Sequence, residues 1–163
     1  MELKEIFKMQ KELDQHIEQQ HQLEDEDLFD RKTLALLVEL GELANETRCF
    51  KFWSLKDPSP RSVILEEFVD GIHFIASLGI ECGFAGIETI SAQEQNELSL
   101  TEQFLKVYES VHTFRAVKSR SSYEKMFEHY LLLASLLGFS DSEIKEAYIA
   151  KNEVNYKRQQ EGY

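Results

Sequence analysis

The chain has 163 residues, 42% of them hydrophobic, and 18 Lys plus Arg against 30 Asp plus Glu give a net charge of −12. That length and apolar share fit one globular domain over 1–163, and 11 Phe and 6 Tyr against 2 Pro argue against disorder and against a turn-rich sandwich or barrel. The acidity excludes a nucleic-acid backbone as the main partner, and no apolar run approaches the ~20 residues of a membrane span.

Helical periodicity dominates from the start. Leu3, Ile6, Phe7, Leu13 and Ile17 share one face of a first helix over about Leu3 to Gln22. Its charged opening, MELKEIFKMQKEL, is unlike a signal peptide. The dense run Glu24-Asp25-Glu26-Asp27 reads as solvated charge before a second helix, which follows Asp30 and runs to about Arg48 on Leu36, Leu37, Leu40, Leu43 and Ala44. Pro58 and Pro60 break the pattern. A third helix, about Arg61 to Cys82, buries Leu65, Phe68, Val69, Ile72 and Ile75, with Gly79, Gly83 and Gly86 marking its end and a polar segment reaching Leu98. Three later helices each open on a capping-box pattern: Ser99 with Glu102, Ser121 with Glu124 and Ser140 with Glu143. Gly138 caps the fifth. The predicted fold is an all-α bundle of five to six helices packed up and down. Cys49 and Cys82 stand far apart with no metal-ligand spacing, which suits a reduced, cytoplasmic protein.

Glu39, Glu42 and Glu46 recur at i, i+3, i+7 beside the leucine stripe of the second helix; Glu66, Glu67 and Asp70 fall within one turn of the third. Antiparallel packing of these helices brings both acidic rows to one cleft, where a hard divalent cation such as Mg²⁺ relieves the repulsion and accepts phosphate oxygens as further ligands. The bland alternative is a pair of solvated faces, since helical Glu pairs are common there. Glu66, nearer the seam by periodicity, competes with Glu67 as the ligand. Lys151, Asn155 and Arg158 form a basic and amide face at i, i+4, i+7 of the last helix.

Glu39-Leu-Gly-Glu42 followed by Glu67-Phe-Val-Asp70 resembles the ExxE…ExxD signature of the all-α nucleoside triphosphate pyrophosphatases. Further stretches narrow the resemblance to the dimeric dUTPase family, which includes phage dCTP pyrophosphatases. They are Gln10-Lys-Glu-Leu-Asp14, Phe50-Lys51-Phe-Trp53, Asp70-Gly-Ile-His73-Phe74, and the C-terminal Lys151-Asn152…Asn155…Arg158-Gln159…Gly162-Tyr163. The resemblance implies Mg²⁺ held by Glu39, Glu42, Glu67 and Asp70, with Glu39 also orienting or deprotonating the attacking water. It further implies cleavage between the α- and β-phosphates of a deoxynucleoside triphosphate, and a homodimer, to which the apolar run Leu131 to Leu137 lends surface. Lys151, Asn155 and Arg158 become phosphate ligands, with Asn152 and Gln159 as neighbours. Gln10, Asp14, Trp53 and Phe74 become the base and sugar pocket. Asp14 stands where the family usually has Asn, and His73 receives no proton-transfer role. Family members commonly continue past this Gly-Tyr into a Gly- and Lys-containing tail over the phosphates, so the sequence, ending at Tyr163, reads as a shorter variant or as lacking part of that lid. The leading expectation is a Mg²⁺-dependent dUTP diphosphatase. The alternatives are a dCTP or broader dNTP pyrophosphatase, which Asp14 would favour, and a non-catalytic helical interaction module.

Overall fold

A computed structural model describes residues 1–92 and 98–162. The chain forms α1 (Lys4–His21), α2 (Phe29–Thr47), α3 (Arg61–Glu81), α4 (Leu100–Val117), α5 (Arg120–Leu137) and α6 (Asp141–Gln160). The expected all-α bundle is therefore what the sequence folds into, and the described residues hold no strand, only an isolated bridge between Glu2 and Thr89. Residues 93–97 of the polar segment and Tyr163 of the terminal Gly-Tyr lie outside the described residues.

Local chemistry sets the helix starts. Asp27, the last of the acidic run, accepts a bond from the Phe29 N–H at 3.0 Å, so that run does serve the start of α2. Complete capping boxes open α4 at Ser99 with Glu102 and α6 at Ser140 with Glu143, as the sequence predicts. The fifth helix departs from prediction. It begins two residues earlier, capped by Ser119 with Ser122 in the reciprocal position, and Glu124 pairs instead with Arg120 at 2.9 Å. The reason lies upstream: Lys118 takes the left-handed conformation that ends α4, so Ser119 is the first residue able to cap. Gly138, at φ 73°, closes α5 as expected.

α3 is the hub, packing against α1, α2, α5 and α6. Its sequence is accordingly apolar almost all round, burying Phe68, Val69, Ile72, Ile75, Ala76 and Leu78. α2 lies antiparallel beside it. Lys32 near the start of α2 reaches Glu81 at the end of α3 at 2.6 Å, and Glu46 near the end of α2 accepts a bond from Ser59 just before α3. Glu46 is thus spent on fastening the loop. The α4–α5 pair covers the far side, α4 against α2 and α5 against α3.

Two expectations are corrected here. Gly79 does not end the third helix, which continues to Glu81. It is there because Tyr123 of α5 needs the space: a Cβ at Gly79 would stand 2.6 Å from the Tyr123 Cζ. Nor is Leu131 to Leu137 an external apolar face. Leu131, Leu132, Leu133 and Ala134 are buried within this chain because they form the inner side of α5, and of the apolar residues in the run only Leu136 is substantially exposed. The apolar groups left outside include Leu34 and Val38 of α2, Leu105 and Val117 of α4, and Phe52, Trp53 and Leu55 after α2. No described helix is long and apolar enough to cross a membrane.

The backbones of α1 and α2 do not pack on each other, nor do those of α2 and α6. Side chains span the first gap at one end: Lys32 of α2 pairs with Glu18 of α1 at 3.1 Å. The space so framed, floored by α3, is the site.

Candidate active site

A cavity of about 480 Å³ opens between these helices, lined from α1 by Gln10 and Asp14, from α2 by Lys32 and Glu39, from α3 by Asp70, His73, Phe74 and Ser77, and from α6 by Asn155 and Arg158. Each group follows helical spacing: 10 and 14, 32 and 39, 70, 73/74 and 77, 155 and 158 are single faces. The burial that forms the core aims those faces inward.

Glu39, Glu67 and Asp70 each bring a carboxylate oxygen to within 4.8 Å of the others. All three are half-buried, and this raises their pKa values. Glu39 is pushed up to about 7, first by burial and then by the charges of Asp70, Glu42 and Glu67. Glu67 rises for the same reasons, burial ahead of Asp70 and Glu42. Asp70 rises through burial, while its bond to Lys151 pulls the other way. Three converging hard oxygens whose charges oppose one another are a donor set that could hold a divalent cation. Glu42 is exposed and outside the converging trio, although its charge is felt by Glu39 and Glu67.

Glu66 and Glu67 stand differently toward the acidic cluster. Glu67 joins Glu39 and Asp70, whereas Glu66 is 56% exposed and pairs with Lys151 at 2.7 Å. Lys151 also holds Asp70 at 2.7 Å, tying α6 to the acidic face of α3. Of the α6 residues, Asn155 and Arg158 line the cavity, and the Arg158 charge reaches Asp70. Gln159 also lines it and accepts or donates a 2.9 Å bond with His21 of α1, while Asn152 is buried beside Tyr148.

The other end of the cavity is a buried polar network. Gln10, 4% exposed, donates from Nε2 to Asp14 Oδ1 at 2.7 Å, and Ser77 Oγ donates to Asp14 Oδ2 at 2.6 Å. Burial raises the Asp14 pKa, with the Ser77 and Gln10 bonds and the Lys32 charge opposing it. Tyr148 donates its hydroxyl to Gln10 Oε1 at 2.7 Å, and His73 Nδ1 lies 2.8 Å from the same oxygen. His73 stacks on Tyr148, ring centroids 4.1 Å apart, and burial pushes its pKa down to about 3, so the imidazole is neutral.

Trp53 is not brought to this cavity. It is 65% exposed and packs edge-on against Phe50 and Phe52, outside the bundle. Phe74 does line the cavity, half-buried. Sequence reasoning passed over Lys32, Ser77 and Tyr148. Two of them carried a signal: Lys32 lies seven residues before Glu39, and Ser77 seven after Asp70, each on the functional face of its helix.

The fold is an all-α bundle, and its comparison with known families points to a nucleotide pyrophosphatase. The family model for dUTPase matches residues 2–163, nearly the whole chain, and the chain belongs to that family. No curated protein matches it.

Proposed function

We propose that this chain is a Mg²⁺-dependent dUTP diphosphatase, hydrolysing dUTP to dUMP and pyrophosphate as a homodimer. The observation that carries the reading is the convergence of Glu39, Glu67 and Asp70 within 4.8 Å at the edge of a nucleotide-sized cavity, in a chain of the dUTPase family. Glu39, Glu67 and Asp70, with Glu42 beside them, would hold the metal. Bound Mg²⁺ supplies charge neutralisation on the phosphates and a more acidic water.

The chain's own residues do the rest. Glu39 accepts the proton of the attacking water. The water oxygen forms a bond to the α-phosphorus, the bond from that phosphorus to the bridging oxygen breaks, and its electron pair leaves with pyrophosphate. Lys151, Asn155 and Arg158 bind the phosphates; Arg158 can grip two oxygens through its planar fork. Lys151 exchanges Glu66 and Asp70 for phosphate oxygens as it does so. Gln10, Asp14 and Phe74 hold base and sugar, and Trp53, outside the cavity, is left out of this reading. Cys49 and Cys82 are free thiols, which fits a cytoplasmic setting.

Purified protein with Mg²⁺ is expected to release pyrophosphate from dUTP and to stop when the metal is chelated. A folded protein releasing none from dUTP, dCTP, dTTP or UTP would instead support the helical interaction module. For the dimer, supported by the exposed Leu34, Val38 and Leu105, sedimentation should give twice the 19.0 kDa chain mass. A monomer at micromolar concentration would end that part of the reading.

A further inference from the structure

Lys151 stands apart from Asn155 and Arg158. Those two line the cavity, whereas Lys151 lines a separate groove of about 290 Å³ on the α3–α6 seam, beside Glu66, Leu65, Ala147 and Val154. Its side chain is 10% exposed, and its ammonium lies 2.7 Å from Glu66 and 2.7 Å from Asp70. Glu66 and Asp70 are one helical turn apart on α3, so their carboxylates can flank one ammonium. Asp70 lines the cavity and belongs to the converging trio; Glu66 lines the groove and does not. The lysine is therefore pinned between a carboxylate of the trio and one outside it.

The two anchors respond differently to a substrate. A divalent cation on Glu39, Glu67 and Asp70 takes Asp70 oxygens as ligands and repels the ammonium beside them. That half of the clamp opens with the metal. Glu66 has no such competitor. It keeps its charge and its hold on Lys151 until a phosphate oxygen replaces it. The hold is a modest one, because Glu66 is 56% exposed and exposed ion pairs are weak. The four-carbon stem of lysine carries a freely turning ammonium, so the charge can pass from the groove to the cavity edge without a shift of α6.

Resting on the pyrophosphatase reading above, we propose that Glu66 is a positioning residue that parks Lys151 in the groove, so that the lysine reaches the phosphates only after a metal has taken Asp70. A polyanion arriving without a metal meets three carboxylates and a lysine held on both sides. A metal-bound triphosphate meets a lysine held by one exposed partner. The parked lysine thus makes metal and phosphate binding favour each other, and Glu66 sets the resistance that remains.

Calorimetric titration of pyrophosphate into the protein in Mg²⁺ tests this without turnover. Glu66→Gln keeps the length of the side chain and removes the charge that holds the ammonium. E66Q should bind pyrophosphate about threefold more tightly than wild type. KM for dUTP should fall by a similar factor while kcat changes less, the pattern of a change in ground-state hold. Loss of any nearby carboxylate favours an anion, so the gain must run through Lys151: combined with Lys151→Ala, E66Q should add nothing. An equal gain in the Lys151→Ala background marks bulk charge and overturns the proposal. So does an E66Q that binds pyrophosphate no more tightly than wild type, or more weakly, as expected if Glu66 aims Lys151 at the phosphates. With wild-type cleavage of dUTP intact, either result leaves the pyrophosphatase reading standing. If the folded wild type cleaves no dNTP, that reading falls, and the pyrophosphate titrations still decide the role of Glu66. Absence of pyrophosphate binding in wild type and E66Q alike overturns the proposal as well. Glu66→Ala makes the same comparison if E66Q fails to fold.

Discussion

Replacing Glu39 by Gln is expected to cost roughly 10²–10⁴-fold in kcat for pyrophosphate release and, in the same molecule, to raise the melting temperature of the metal-free protein at pH 8. The two effects share one cause. Glu39 is half-buried against Asp70, Glu42 and Glu67, and the folded state holds its proton up to about pH 7 against an ordinary value of 4.5. A carboxyl raised in this way stabilises the fold only while protonated. Between pH 4.5 and about 7 the folded state binds more protons than the unfolded one, so metal-free stability falls as pH rises through that window. Gln keeps the shape and removes the charge. Wild type and E39Q should therefore melt together below pH 4.5, separate between pH 4.5 and about 7, and stay apart by a constant margin above that. Solvent screening of this half-exposed group trims the gain to about 1 kcal/mol or less, or about 2–4 °C for a chain of this size.

Mg²⁺ should close the gap from the other side, raising the wild-type melting temperature more than that of E39Q, because a cation bound only by the folded state stabilises it. Thermal melts in chelator and in millimolar Mg²⁺ at pH 4, 6 and 8 read all of this. An E39Q protein that melts lower than wild type in chelator at pH 8 would mean that Glu39 supports the fold, and the cleft would lose its main electrostatic argument.

How much of this was legible beforehand depends on the range of the interaction. Helix bounds are local, so Ser-x-x-Glu boxes located the starts of α4 and α6 to the residue; they misplaced the start of α5, where Ser119 and Ser121 offered rival caps and the end of α4 decided between them. The trio Glu39, Glu67 and Asp70 was legible because both rows border the seam along which α2 and α3 pack. The partners of Lys151 were not. Nothing along α6 shows that this lysine already holds Glu66 and Asp70 across the α3–α6 contact, so a bound cation looked like a vacant phosphate ligand. The inner face of Leu131 to Leu137 was hidden for a similar reason, since an apolar run has no side until its neighbours are known. Least legible of all was the match of Tyr123 and Tyr130, seven apart on α5, with Gly79 and Gly71, eight apart on α3. Each residue has an ordinary local reading, and only the packed pair of helices gives the joint one.

That match yields the second large effect, in Gly71→Ala. A Cβ at position 71 would stand 2.7 Å from the Tyr130 Cζ, with the hydroxyl nearer still. Tyr130 has nowhere to retreat. It is fully buried, stacks on Phe68 with centroids 4.6 Å apart, and donates its hydroxyl to the Phe68 carbonyl at 2.7 Å. Either α5 backs away from α3, or the ring turns and strands a buried hydroxyl and carbonyl. Overpacking costs about 1–3 kcal/mol and a stranded buried group about 1–3 more, which together lower the melting temperature by roughly 5–15 °C. Gly86→Ala is the control: nothing lies within 4 Å of a Cβ there, and its effect should stay within about 0.5 kcal/mol. Adding Tyr130→Phe to G71A removes the nearest atom and should recover part of the loss, although alone Y130F forfeits the bond to Phe68. Activity should fall beyond what stability explains, because Gly71 adjoins Asp70 and any shift of α3 moves that carboxylate relative to Glu39. A G71A protein that melts within 2 °C of wild type would show that α5 yields freely, and the acidic trio would then owe its spacing to α2 and α3 alone.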